Sequence, residues 1–173
     1  MSYQLLSISG HDRPGIVRDV ADSIRHIDAN IEDSSMTALR GRFTMMLIVK
    51  LPEHENLGTL KAALAELEQR TSLSVQSQPL SDDEATLMPG EPDHVITVSG
   101  GDQVGIVYGV TRALADHGVS IVDVSTRSRG DAYMMALEVV AGDAADAMRK
   151  ALDKAAAELN VNIEVHELDG GIL

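Results

Sequence analysis

With 173 residues, a formal net charge of −13 and a pI near 4.7, the chain is ill suited to grip duplex nucleic acid or an anionic membrane, since both attract cationic surfaces. Aromatic residues make up 2% and Trp is absent, so stacking platforms for bases are missing and the core must come from Val, Ile, Leu, Met and Ala. The absence of Cys excludes disulfides, thiolate metal sites and a cysteine nucleophile.

Residues 3–9 read as a first strand, running into Ser9-Gly10-His11-Asp12-Arg13-Pro14-Gly15-Ile16-Val17. From Gly15, the apolar residues Ile16, Val17, Val20, Ile24 and Ile27 fall on one helical face, with Arg18, Asp22 and Arg25 opposite. A strand over 31–39, a turn at Arg40-Gly41-Arg42 and a dense apolar strand over 43–51 follow, and Pro52 ends that strand. Leu57, Leu60, Ala63, Leu64 and Leu67 mark a second helix, and 73–78 a fourth strand. The order is β-α-β-β-α-β.

Residues 80–92 lose the periodicity and carry Asp82-Asp83-Glu84 and Pro89-Gly90, so they read as a linker with a solvated charge run. The order then repeats: strands over 94–99, 120–127, 132–140 and 161–166, and helices through Ile106, Val107, Val110 and Leu114 and over 144–159. Ser99-Gly100-Gly101-Asp102-Gln103-Val104-Gly105-Ile106-Val107 copies the first turn at an offset of 90 residues, and the same offset relates Ile31 to Ile121, Asp33 to Asp123 and Met45 to Met135. A duplicated domain accounts for this register. The expected division is a first domain over 1–79, a linker over 80–92, a second domain over 93–168 and a frayed tail over 169–173 with Gly170-Gly171. Each half matches the split plan of ferredoxin-like folds: an α+β unit, four antiparallel strands with both helices on one face. The second strand falls at a sheet edge, which calls for cover or a partner; a tandem copy or a homodimer supplies one.

In each copy the glycine turn lies between a strand and a helix. Pro14 suits a first helical turn, Asp12 and Asp102 suit a helix start, and Gly15 and Gly105 leave backbone amides uncovered. Such amides suit a carboxylate or phosphate, though the same residues also make an ordinary tight turn. The six histidines do not pair at a metal-binding spacing, and no nucleophile elbow or phosphate loop is present. No catalytic constellation, metal site or cofactor site is therefore expected. Met45-Met46 and Met134-Met135 read as core filling where aromatics are missing. Asp33, Ser35, Asp123 and Ser125 alternate along the two edge strands, either as a solvated face or as groups that meet an ammonium across a paired edge.

Asp-Arg-Pro-Gly-Ile-Val after a strand, then an amphipathic helix and Asn30-Ile31 entering the second strand, resembles an ACT domain, the small regulatory module that binds amino acids. Asp102-Gln-Val-Gly-Ile-Val with Ser120-Ile121 resembles a more divergent one. The tandem pair is similar to the glycine cleavage system transcriptional repressor family. The resemblance implies a small ligand held where the glycine turn of one domain faces the second strand of its partner. Carried over, it names Asp12, Arg13, Pro14, Gly15, Ile16, Asn30 and Ile31 in the first copy and Asp102, Gly105, Ile106, Ser120 and Ile121 in the second. Gln103-Val104 and Ser120 depart from the pattern. It further implies a non-enzymatic amino-acid sensor, with glycine or serine as the guessed effector, working through a partner transcription factor. A regulatory subunit of an amino-acid enzyme is the alternative, and an acylphosphatase-type enzyme a more distant one. The N-terminus lacks the basic-then-apolar order of a signal peptide and no apolar stretch nears the roughly 20 residues of a membrane span, so a cytoplasmic protein is expected.

Overall fold

The computed structural model describes residues 2–88 and 90–168; the tail over 169–173 lies outside them. The chain divides into two compact units, Met1–Leu87 and Met88–Leu173.

The first unit runs β1 (Ser2–His11), α1 (Ile16–Arg25), β2 (Asn30–Leu39), β3 (Arg42–Leu51), α2 (Leu57–Thr71), β4 (Ser74–Leu80) and a short α3 (Asp82–Ala85). Its antiparallel sheet has the order β2-β3-β1-β4, which leaves β2 and β4 at the edges. Along β3 the alternation is strict: Phe43, Met45, Leu47, Val49 and Leu51 are buried, together with Leu6 and Ile8 of β1. Ile16, Val20 and Ile24 of α1 and Leu60, Leu64 and Leu67 of α2 complete the core. The other sheet face stays open, and Met46 points to it. Because a strand turns successive side chains to opposite faces, only one methionine of each pair can fill the core: Met45 and Met135 do, and Met46 and Met134 are exposed. Val17 and Val107, placed on the helical core stripe from sequence, are also exposed beside the glycine turns.

The second unit repeats the order as β5 (His94–Gly101), α4 (Ile106–Ala115), β6 (Ser120–Arg129), β7 (Ala132–Val140), α5 (Ala145–Leu159) and β8 (Asn162–Glu167), in a sheet of order β6-β7-β5-β8. A register shift falls between Ile31 and Asp33 in β2 and at the same place in β6, between Ile121 and Asp123. The offset of 90 does not persist to the end of each unit: Ser9 pairs with Ser74, whereas its counterpart Ser99 pairs with Asn162, an offset of 88. Two residues are lost between the third and fourth strands of the repeat.

Part of the stretch read as linker is structured. β4 continues through Pro79 to Leu80, which an edge strand tolerates because one side of its backbone has no partner to serve. Ser81 then caps α3: its side chain accepts from the Glu84 amide while the Glu84 carboxylate accepts from the Ser81 amide. Asp82, Asp83 and Glu84 thus form the first turn of a helix, where negative charge is favourable.

Candidate functional site

Each strand-to-helix turn is closed by a glycine in the left-handed region, Gly15 at φ 84° and Gly105 at φ 100°. This conformation is steeply unfavourable for a β-branched residue. The helix begins one residue later, at Ile16 or Ile106, so Pro14 lies in the turn rather than inside the helix, and neither helix start has a side-chain cap. Asp12 and Asp102 do other work than the capping expected of them. The Asp12 amide donates to the Gly41 carbonyl (2.9 Å) and the Asp102 amide to the Asp131 carbonyl (2.9 Å), tying each turn to its hairpin. The Asp102 carboxylate accepts from the Ser128 hydroxyl at 2.7 Å.

At the first turn the Ile16 amide donates to the Arg13 carbonyl at 3.4 Å. Among the described residues, no acceptor in the chain meets the amides of Val17 and Arg18. The two α1 amides point out of a helix N-terminus, the geometry that receives an anion. Arg13 is not free to join them: its Nη2 lies 2.6 Å from Asp19 Oδ2, while Arg18 Nη2 lies 2.9 Å from Asp19 Oδ1. The hydrogen bonds from Arg13 and then Arg18 hold the Asp19 carboxyl below the usual carboxylate range, against the upward push of burial.

The second turn lacks the arginine–carboxylate pairs of the first. Gln103 stands where Arg13 does and donates to the Leu159 carbonyl. Gly109 stands where Asp19 does, and a Cβ there would come within 2.8 Å of Leu159 Cδ1. The two substitutions belong together: losing the cation and losing its carboxylate let the end of α5 settle against the turn. A cleft of about 460 Å³ opens beside it, lined by Gln103, Val104, Gly105, Val107, Tyr108 and Tyr133 among others. Asp19 and Tyr133 were missed from sequence. The readable signal for Asp19 was the joint change of Arg13 and Asp19 to Gln103 and Gly109 across the repeat.

Within one unit the structure does not bring all the named residues together. Asp12, Arg13, Pro14, Gly15 and Ile16 follow the end of β1, where His11 pairs with Arg42. Asn30 pairs with Lys50, and Lys50 with Tyr3, at the other end of the same sheet. Eight residue steps of about 3.3 Å separate these ends by roughly 25 Å. Asn30 is spent locally, donating to Glu32 Oε1 at 2.9 Å. Asp102, Gly105 and Ile106 are likewise remote from Ser120 and Ile121, since Gly101 pairs with Ala132 and Ser120 with Val140.

A repeated split β-α-β unit, with a glycine-capped helix start at one end and an open strand edge at the side, defines a tandem ferredoxin-like protein. The chain belongs to the ACT domain family, which its residues 2–78 and 93–166 match. A UPF0237 protein of Methanopyrus kandleri is 38% identical over 65 residues, 37% of this chain and 72% of that one. Among solved structures, an unknown protein from Galdieria sulphuraria superposes with a TM-score of 0.78 at 27% identity, covering 97% of this chain and 99% of that one. A "putative glycine cleavage system transcriptional repressor" shares the fold, with a TM-score of 0.78 at 18% identity and 98% of each chain covered.

Proposed function

We propose that this protein is a non-enzymatic sensor of a small amino acid such as glycine or serine, and that it regulates by binding a protein partner. The observation that carries the reading is the first glycine turn: uncovered amides at a helix start, with guanidinium groups beside them, match the carboxylate end of an amino acid. The ACT membership supports the ligand class. The fold shared with the repressor-described structure supports transcription of a glycine cleavage pathway as the regulated output. A charge of −13 suits action through a partner better than direct contact with DNA phosphates.

In this reading the ligand lies where the turn of one domain meets the edge strand of another. The separation of Arg13 from Asn30 within a unit supports that division, since a pocket using both needs two domains. β2 and β6 are edge strands of their own sheets among the described residues, which suits pairing with a second copy of the chain in a homodimer. An acylphosphatase-type site is disfavoured by the same separation and by the engagement of Arg13 with Asp19. A stand-alone regulatory subunit remains the second reading, and co-purification separates the two by yielding an enzyme instead of a transcription factor.

The testing variants are Gly15→Val and Gly105→Val. At these φ values a side chain costs about 1–2 kcal/mol, so each variant must first show a cooperative melt and wild-type circular dichroism. The Gly15→Val protein is expected to lose its ligand-induced thermal shift, because the branched side chain covers the amides. Gly105→Val is expected to change the shift less, as Gln103, Val104 and Ser120 already depart from the first copy. The reverse ranking would assign the ligand to the second turn.

A further inference from the structure

In the first unit the carboxylate beside the turn is the chain's own. We infer that Asp19 is an internal competitor for the ligand carboxylate: it pairs with Arg13 and Arg18, and an amino acid binds by taking Arg13 from it. This rests on the reading of the first turn as a carboxylate site and adds how that site is gated.

The geometry is that of an occupied anion site. Both Asp19 oxygens are used, Oδ2 by Arg13 at 2.6 Å and Oδ1 by Arg18 at 2.9 Å. The Asp19 side chain is 11% exposed, while those of Arg13 and Arg18 are 41% and 79% exposed. The carboxylate is thus held under the guanidinium groups, whose outer sides remain open to solvent. Asp19 stands four residues past the Gly15 cap, and its own amide donates to the Gly15 carbonyl at 3.0 Å. Rotation of its side chain breaks no helical hydrogen bond, and the Arg18 guanidinium already lies at the turn, its Nη2 3.5 Å from where a Cβ on Gly15 would stand. An incoming carboxylate then exchanges one ion pair for another, and only the surplus appears as affinity. The second unit has neither member of the pair, with Gln103 and Gly109 at these positions, and its turn is fastened to Leu159 by neutral contacts. The two copies are accordingly gated differently, and only the first answers to the strength of an ion pair.

The test is glycine binding, measured by titration calorimetry on the full chain for wild type, Asp19→Asn, Asp19→Gly and the double variant Asp19→Asn with Arg13→Gln. Asp19→Asn keeps the side-chain shape, and Asp19→Gly installs the residue of the second copy, so a folded variant is available even if one fails its melt. Removing the competitor is expected to tighten glycine binding at least ten-fold, and the added Arg13→Gln to abolish that gain. Binding unchanged or weakened by both Asp19 variants, with wild type still binding, overturns the competitor and leaves the turn as a site. A gain that survives Arg13→Gln also overturns it, because Arg13 is then not what Asp19 withholds. No glycine binding by any of the four proteins removes the site reading and the competitor with it.

Discussion

Phe43→Ala is expected to cost the first unit about 3–5 kcal/mol, the range for truncating a buried aromatic. Phe43 is the single phenylalanine of the chain and is 1% exposed. It stands on β3 in the cluster with Leu6, Ile8, Ile16 and Leu73. In so aromatic-poor a core no neighbouring ring can swing in to refill the space, and methionine offers the most adaptable replacement. A small domain has only about 5–15 kcal/mol in total, so much of its stability goes with this one side chain. Urea unfolding followed by circular dichroism checks the result. A change below about 1 kcal/mol would mean that the site collapses freely, contrary to the packing described. Phe43→Tyr is expected to be far milder, because the second copy places Tyr133 at this position with its hydroxyl 3.7 Å from the Met135 sulfur, and Met45 stands at the matching place in the first.

Asp93→Ala is expected to cost the second unit about 2–3 kcal/mol at neutral pH, since it strips a carboxylate from three donors at once. Asp93 Oδ1 accepts from the Ala141 amide at 2.8 Å and Oδ2 from the Gly142 amide at 2.7 Å, clamping the start of β5 to the end of β7. The buried His94 ring meets Oδ1 through Nδ1 at 2.8 Å. Burial alone would raise the Asp93 pKa, but the hydrogen bonds from His94, Ala141 and Gly142 outweigh it and bring the pKa to about 2 from 3.8. With the folded value below the unfolded one, the stabilisation is present above pH 4 and is lost as the pH falls from about 4 through 2. The shift corresponds to about 2 kcal/mol. The side chain is 34% exposed, so solvent screening reduces that to roughly 1–1.5 kcal/mol. The difference in urea midpoint between wild type and Asp93→Ala should therefore narrow by about half between pH 5 and pH 2. A difference that stays constant over that range would assign the cost to lost packing instead of charge.

Much of the fold was legible because its signals are periodic. The dense apolar run over 43–51, the apolar strand over 132–140 and the helical spacing of Val20, Ile24, Leu60, Leu64 and Leu67 gave the elements, and the copied turn gave the duplication. What the sequence hid depends on contacts between elements. Asp19 was not singled out from the sequence, because its pairing with Arg13 across a left-handed glycine follows no helical spacing. Asp93 matches Tyr3 in the first copy, so the repeat gave no hint of the clamp. The α3 capping box was read as a charge run, because a four-residue helix is too short to show a period. For the candidate site, the turn residues could be named in advance. That Asn30 and Ser120 sit a strand's length from them within a unit required the sheet register.

The most direct measurement of the amino-acid reading is a thermal-shift panel of free amino acids on the wild-type protein at neutral pH. A ligand that binds only the folded state stabilises it by RT ln(1 + [L]/Kd), about 2.7 kcal/mol at a hundredfold excess over Kd. For a domain of this size that is a rise of roughly 10–20 °C in Tm. A saturable rise with a small amino acid, glycine or serine first, is the expected result, and larger side chains should give less. A melt that no amino acid moves at millimolar concentration would contradict the assignment of these turns as amino-acid sites.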